Sequence, residues 1–139
     1  MSVVDAATRA GVEERAGFRC EYCRLPVRGQ IATFPIDHPT PRSSGGLTVL
    51  ENLALACPHC NGHKWPHTAA PDPASMEVVP LFNPRVDLWE EHFQWSAADR
   101  TILEGKTARG RATLVLLQMN HPNMVDIRRL LAELSLFPA

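Results

Sequence analysis

The four cysteines of this 139-residue chain fall as two pairs, Cys20-x-x-Cys23 and Cys57-x-x-Cys60, with 33 residues between them. No other feature limits the fold as strongly. Each pair is a short turn that presents two sulphurs, and two such turns brought together make a tetrahedral set of thiolates. Zinc accepts that set because it is borderline-soft and has no geometric demand from its d shell. Four thiolates also close its coordination shell, so such a site is structural and leaves no open position for substrate. In a secreted protein the same four cysteines would read as two disulfides. In a reducing compartment a shared zinc is the better reading, with redox pairs or unmetallated thiols as the alternatives.

The compartment follows from what the chain lacks. No apolar run approaches the ~20 residues that span a bilayer. The first 17 residues, MSVVDAATRAGVEERAG, mix acidic and basic positions without a signal-peptide core. We expect a soluble, cytoplasmic protein with no membrane partner. With 45% hydrophobic and 21% charged residues the chain has an ordinary core to build. A formal net charge of −1 gives no global basic field, so any nucleic-acid contact must come from local arginines and lysines.

Residues 4–16 predict a helix ended by Gly17. QIATFPIDH predicts a strand entered from a turn at Gly29 and stopped by Pro39 and Pro41. RSSGGLTV reads as a loop, and Leu53 to Ala56 as a short apolar strand or turn. Pro58 suits the first position of a helix, which Pro66 limits to about two turns. That helix carries Cys60, Asn61, His63 and Lys64. HTAAPDPAS reads as linker. Beyond it, VVPLFNP predicts extended chain and TILEGKT a strand, while residues 108–119 and 124–136 have helical periodicity. Trp89, Phe93 and Trp95 read as core of this lobe rather than as a base-stacking platform. Arg109, Arg111, Arg128 and Arg129 read as basic spots on solvated helix faces, and His59 as a solvated knuckle residue.

Between the cysteine pairs lies FPIDHPTPRSSGGLTVLENLALA, and Asn61 follows the last cysteine directly. With Cys20, Cys23, Asp37-His38, Pro41, Gly45-Gly46, Asn52-Leu53, Cys57, Cys60, Asn61 and Lys64 in this order, the chain resembles the HNH endonucleases. The resemblance covers Phe18 to Lys64, roughly a third of the chain. PLFNPRVDLWEEHFQW and GRATLVLLQMN are also similar to the extension of a bacterial subgroup of stand-alone HNH proteins.

The resemblance implies an α+β fold: a ββα-metal core stapled by the four-cysteine zinc site, with an N-terminal helix and a mainly helical C-terminal extension. We expect the nuclease core over residues 1–70 and the extension over 71–139, packed as one compact domain. The implied activity is metal-dependent hydrolysis of DNA phosphodiester bonds. In the family pattern His38 is the general base, which suits an imidazole with an ordinary pKa of ~6.5. Asp37 and Asn61 occupy the ligand positions for a hard cation, Mg²⁺ or Mn²⁺. Asn52 matches the residue that holds the loop and orients the base, although a purely structural turn role serves equally. Arg42, Lys64 and His63, with Arg28 as a further candidate, are the expected phosphate or DNA contacts. Lys64 has a rival role against the C-terminal dipole of its helix.

Two departures from the family bear on the site. Asn61 stands where histidine is frequent, and Pro39 where an aliphatic residue is usual. Adjacent residues of a regular strand point to opposite faces, so Asp37 and His38 serve one site only if the backbone is irregular there. The rival functions are a non-catalytic zinc-stapled module that binds nucleic acid or protein, and a redox or metal-sensing protein built on the cysteine pairs. Double-strand cutting with one site per chain would favour a homodimer.

Overall fold

In the computed structural model, which describes residues 4–138, the chain runs through five α-helices, two short 3-10 turns (Arg42–Ser44 and Leu50–Asn52) and three two-stranded antiparallel sheets. Helix α1 (Ala6–Arg15) starts where the Asp5 carboxylate accepts the Thr8 N–H at 2.7 Å, and Gly17 at φ +67° carries the chain away from it. Only Val12 of this helix is buried. Its arginines bind it instead: Arg9 donates to the Phe34 carbonyl, and Arg15 to those of Leu50 (2.9 Å) and Leu53 (2.5 Å).

The first cysteine turn follows, closed by the Cys20 N–H donating to the Leu25 carbonyl at 2.8 Å. Strand β1 (Ile36–Asp37) then pairs with β2 (Ala54–Leu55), and α2 (Pro58–Lys64) completes a ββα unit. Leu53 through Cys57 are wholly buried, so the run feeding α2 is fixed in the core before the helix begins. Pro58 takes the first helical position, as expected.

The strand expected over 30–38 is much shorter. Pro35 has no N–H for a ladder, Phe34 turns into the core and Ile31 stands in solvent, so only Ile36 and Asp37 pair. The expected linker at 67–75 is another correction. Ala69–Pro71 forms β3, paired with β4 (Val78–Pro80), so the 70/71 boundary falls inside a strand. Asp72 builds the turn, accepting from the Ala74 N–H (3.1 Å), the Ser75 hydroxyl (2.9 Å) and the Arg111 guanidinium (2.9 and 3.0 Å).

The extension continues through α3 (Trp89–His92), β5 (Phe93–Trp95), β6 (Leu103–Gly105), α4 (Ala108–Leu116) and α5 (Pro122–Glu133). One buried cluster joins it to the N-terminal half, from Val12, Tyr22 and Leu55 to Phe82, Phe93, Leu117 and Phe137. Trp89 packs in this cluster and donates its indole N–H to the Tyr22 carbonyl at 2.7 Å. Glu21 is buried against Arg85 while accepting the Leu55 N–H at 2.8 Å. The extension therefore grips the first cysteine turn directly.

The basic spots expected on solvated faces are not free. Arg128 is fully buried and donates to the carbonyls of Met119 (2.5 Å) and Thr101 (3.0 Å). Arg109 pairs with Asp87, Arg111 with Asp72 and Arg129 with Asp99. No helix among the described residues is long and apolar enough to cross a membrane.

Candidate active site

The ββα unit carries a cysteine cluster at one end of α2 and an open cleft toward the other. At its N-terminal end, Cys20, Cys23, Cys57 and Cys60 are all fully buried, with their sulphurs within 4.8 Å of one another. The Cys23 and Cys57 sulphurs lie 3.7 Å apart. A zinc–sulphur tetrahedron with bonds of ~2.3 Å has edges of ~3.8 Å, so this set already has nearly the right size. Backbone N–H groups of Cys23 and Cys60 point at the Cys20 and Cys57 sulphurs at 3.5 and 3.4 Å. Hydrogen bonds from Cys20, then Cys57 and Cys60, hold the Cys23 thiol well below its ordinary pKa. Neighbouring cysteines, Cys20 first, raise Cys60 well above its own. Four sulphurs this close in a dry core cannot all ionise alone, and a divalent soft cation resolves the conflict. The donor set fits zinc.

At the other end, an open cleft of about 280 Å³ is lined by Ile36, Asp37, His38, Pro41, Arg42, Asn61, Trp65 and Pro66. Asp37, His38, Asn61 and Arg42, expected together, do meet here. β1 stops after Asp37, so His38 lies outside the ladder, and both side chains reach one cleft. The strand ends between the two residues, where an irregular backbone is expected.

Asp37 is buried and doubly tied. The Tyr22 hydroxyl donates to its Oδ2 at 2.5 Å, and the Lys64 ammonium lies 3.3 Å from Oδ2 and 3.4 Å from Oδ1. Lys64 also donates to the carbonyls of His38 (3.3 Å) and Pro39 (3.4 Å). With only 2% of its surface exposed, Lys64 is not available to a phosphate, which corrects that expectation. It latches the last residue of α2 to the end of β1.

His38 Nε2 lies 3.0 Å from the Thr48 hydroxyl. Partial burial lowers the His38 pKa below the ordinary imidazole value, opposed by the Asp37 charge and reinforced by Arg42 and Lys64. Asn52 does not touch His38. Its carbonyl oxygen accepts the Thr40 N–H, and its amide donates to the carbonyls of Thr40 and Leu47, all at 2.9 Å. It clamps the loop that carries Thr48. The glycines serve the same clamp: Gly45 sits at φ +87°, and a Cβ on Gly46 would lie 1.7 Å from the Thr40 carbonyl oxygen.

His63 turns away from the cleft. Its Nδ1 meets the His59 carbonyl at 2.7 Å and its ring stacks on that of His59 at 4.2 Å. His59, expected in solvent, meets the Gln118 carbonyl at 2.8 Å and so ties α2 to the end of α4. Arg28 is exposed and takes no part in lining the cleft. Tyr22, Thr48 and Trp65 were not singled out by sequence. Tyr22 lies inside the CEYC turn, a position open to suspicion, whereas nothing local marks Thr48 or Trp65.

The cleft's oxygen donors, Asp37 carboxylate and Asn61 amide, suit a hard cation, and no hydrogen bond engages the Asn61 side chain among the described residues. Residues 20–66 match the family model described as HNH endonuclease. No curated protein and no solved structure matches the chain. The ββα geometry, the four-cysteine cluster and this match agree, and residues 20–66 form a unit similar to the HNH endonucleases.

Proposed function

We propose that the cleft hydrolyses DNA phosphodiester bonds with the aid of a divalent cation. The observation that carries this reading is the convergence of Asp37, His38, Arg42 and Asn61 on one open cleft. Asp37 and Asn61 would hold Mg²⁺ or Mn²⁺, which when bound supplies charge neutralisation at the phosphate and leaving oxygen. His38 acts as general base. In the tautomer whose Nε2–H donates to Thr48, the neutral ring would carry its lone pair on Nδ1, ready to take a proton from water. The lowered pKa of His38 keeps that lone pair available at and somewhat below neutral pH. Arg42, exposed on the cleft wall, binds a phosphate oxygen. Tyr22 and Lys64 fix the Asp37 carboxylate, and Asn52 fixes the loop that orients His38.

One observation favours a second reading, a zinc-stapled module that binds without cutting: Asp37 already has a cationic partner in Lys64. Plasmid nicking by wild type and His38→Ala, with Mg²⁺, Mn²⁺ or chelator, separates the two. The nuclease reading expects metal-dependent nicking that falls about 10²- to 10⁴-fold in the variant. Equal nicking by both proteins, or none by wild type in any metal, defeats it.

A further inference from the structure

The cleft contains one residue that the hydrolytic machinery leaves without a task. Trp65 follows Lys64 directly and is 76% exposed, although it lines the same cleft as His38, Arg42 and Asn61. Its side chain makes no hydrogen bond and no ring contact among the described residues. Its backbone is at φ 37°, ψ −128°. The His67 N–H donates to the Lys64 carbonyl at 2.9 Å, so Trp65 takes the first central position of a turn close to type II′. That position is glycine's, because an L side chain is strained there. Pro66 aggravates the conflict, since a residue before proline is pushed toward ordinary extended backbone. A large apolar side chain is thus held in a strained conformation, in water, at the mouth of the cleft. Neither burial nor local propensity accounts for it.

We propose that Trp65 is a stacking platform for a nucleobase beside the scissile phosphate, making single-stranded or locally unpaired DNA the substrate class of this cleft. The inference rests on the nuclease reading above and specifies it. An indole face offers a base the neighbour it lost on leaving the helix, and it does so for any base. In an intact duplex every internal base is already stacked on both sides and offers Trp65 no free base face. The cleft then divides its labour along one nucleotide: Arg42 at the phosphate, His38 and Asn61 at the reacting end, Trp65 at the base. The near-neutral net charge agrees, because stacking adds affinity that a weak electrostatic field does not supply.

The test uses the full chain in a His38→Ala background, which blocks cleavage during binding measurements. Fluorescence anisotropy is read with a labelled mixed-sequence single strand and with the same sequence as a blunt duplex. The parent should bind the single strand more tightly. Trp65→Gly should weaken single-strand binding roughly 5- to 150-fold and leave duplex binding nearly unchanged, and Trp65→Phe should recover much of the loss. Thermal melting supplies the readout that a merely structural residue would not give: Trp65→Gly, relieved of its strain, should melt no lower than the parent and keep its zinc. Equal single-strand binding by Trp65→Gly and the parent overturns the proposal. So does a loss shared equally by both DNA forms, which would place Trp65 against the backbone. If wild type cuts neither form, the nuclease reading falls and takes this inference with it. If wild type cuts single strands and its Trp65→Gly variant cuts them as well, this inference alone falls.

Discussion

The two ends of α2 are built by opposite means. At the N-terminal end everything is closed: four cysteines without exposed surface, a proline in the first turn and a buried apolar run leading in. At the C-terminal end, two residues past Asn61, the chain passes His63, a buried lysine and then an exposed, strained tryptophan. One end gains rigidity from a ligand shell with no vacancy. The other keeps an open cleft beside a carboxylate and an amide. Seven residues cannot hold themselves in place, since isolated helices shorter than ~12–15 residues are marginal. The closed end is what allows the open end to be exact, and under the proposed function the difference separates a structural metal from a catalytic one.

The largest break in this comparison is removal of the staple. Cys57→Ser, or strong chelation, should abolish cooperative unfolding of the ββα unit and all cleavage, because structural zinc contributes on the order of 10–16 kcal/mol in small zinc domains. Metal analysis should find about one zinc per chain. A chelated protein that melts like the native one would break the account of the closed end.

Next in size is the latch at the open end. Lys64→Met leaves the Asp37 charge buried without its partner, at a cost of about 3–5 kcal/mol, and should lower the melting temperature by roughly 10–17 °C. Tyr22→Phe removes the other support of Asp37 and should cost about 1–3 kcal/mol. In a double-mutant cycle with Asp37→Asn both effects should shrink. Simple additivity would show that the ties to Asp37 are not what these residues contribute.

The smallest effect belongs to a site in the extension, and it sharpens the comparison as a control. The Thr101 hydroxyl and N–H, then Arg129, hold the Asp99 carboxyl down at about 2. A depressed carboxylate contributes stability above its unfolded pKa of about 4 and loses it as pH falls through its folded value. The gap in melting temperature between wild type and Asp99→Asn should therefore be small near neutrality and close between about pH 4 and pH 2. Zinc content and cleavage should not change at neutral pH.

Much of the closed end was legible in the sequence, because its signals are local. Two Cys-x-x-Cys turns, Pro58 and Gly17 each state their role within a few residues. Asn52 and the two glycines were legible as a loop-forming group, though the clamp on Thr40 and Leu47 appears only in three dimensions. The open end hides its logic. Lys64, at the end of a two-turn helix before a proline, looks like a solvated cation, and only the return of β1 buries it. Asp37 shows nothing in sequence of its tie to Tyr22, fifteen residues back. Trp65 stands where a turn wants glycine, so the local rule points away from it. In the extension, Arg128 has the spacing of a surface residue but fills the core, because the carbonyls of Thr101 and Met119 need donors there.

The central claim is that Asn61 belongs to the hydrolytic site although it adjoins the zinc set. Asn61→Ala tests it most directly, with zinc content, melting temperature and metal-dependent nicking measured on one preparation. The account predicts about one zinc per chain, an unchanged melting temperature and lost nicking. Persistent nicking, or nicking lost only together with zinc, would contradict it.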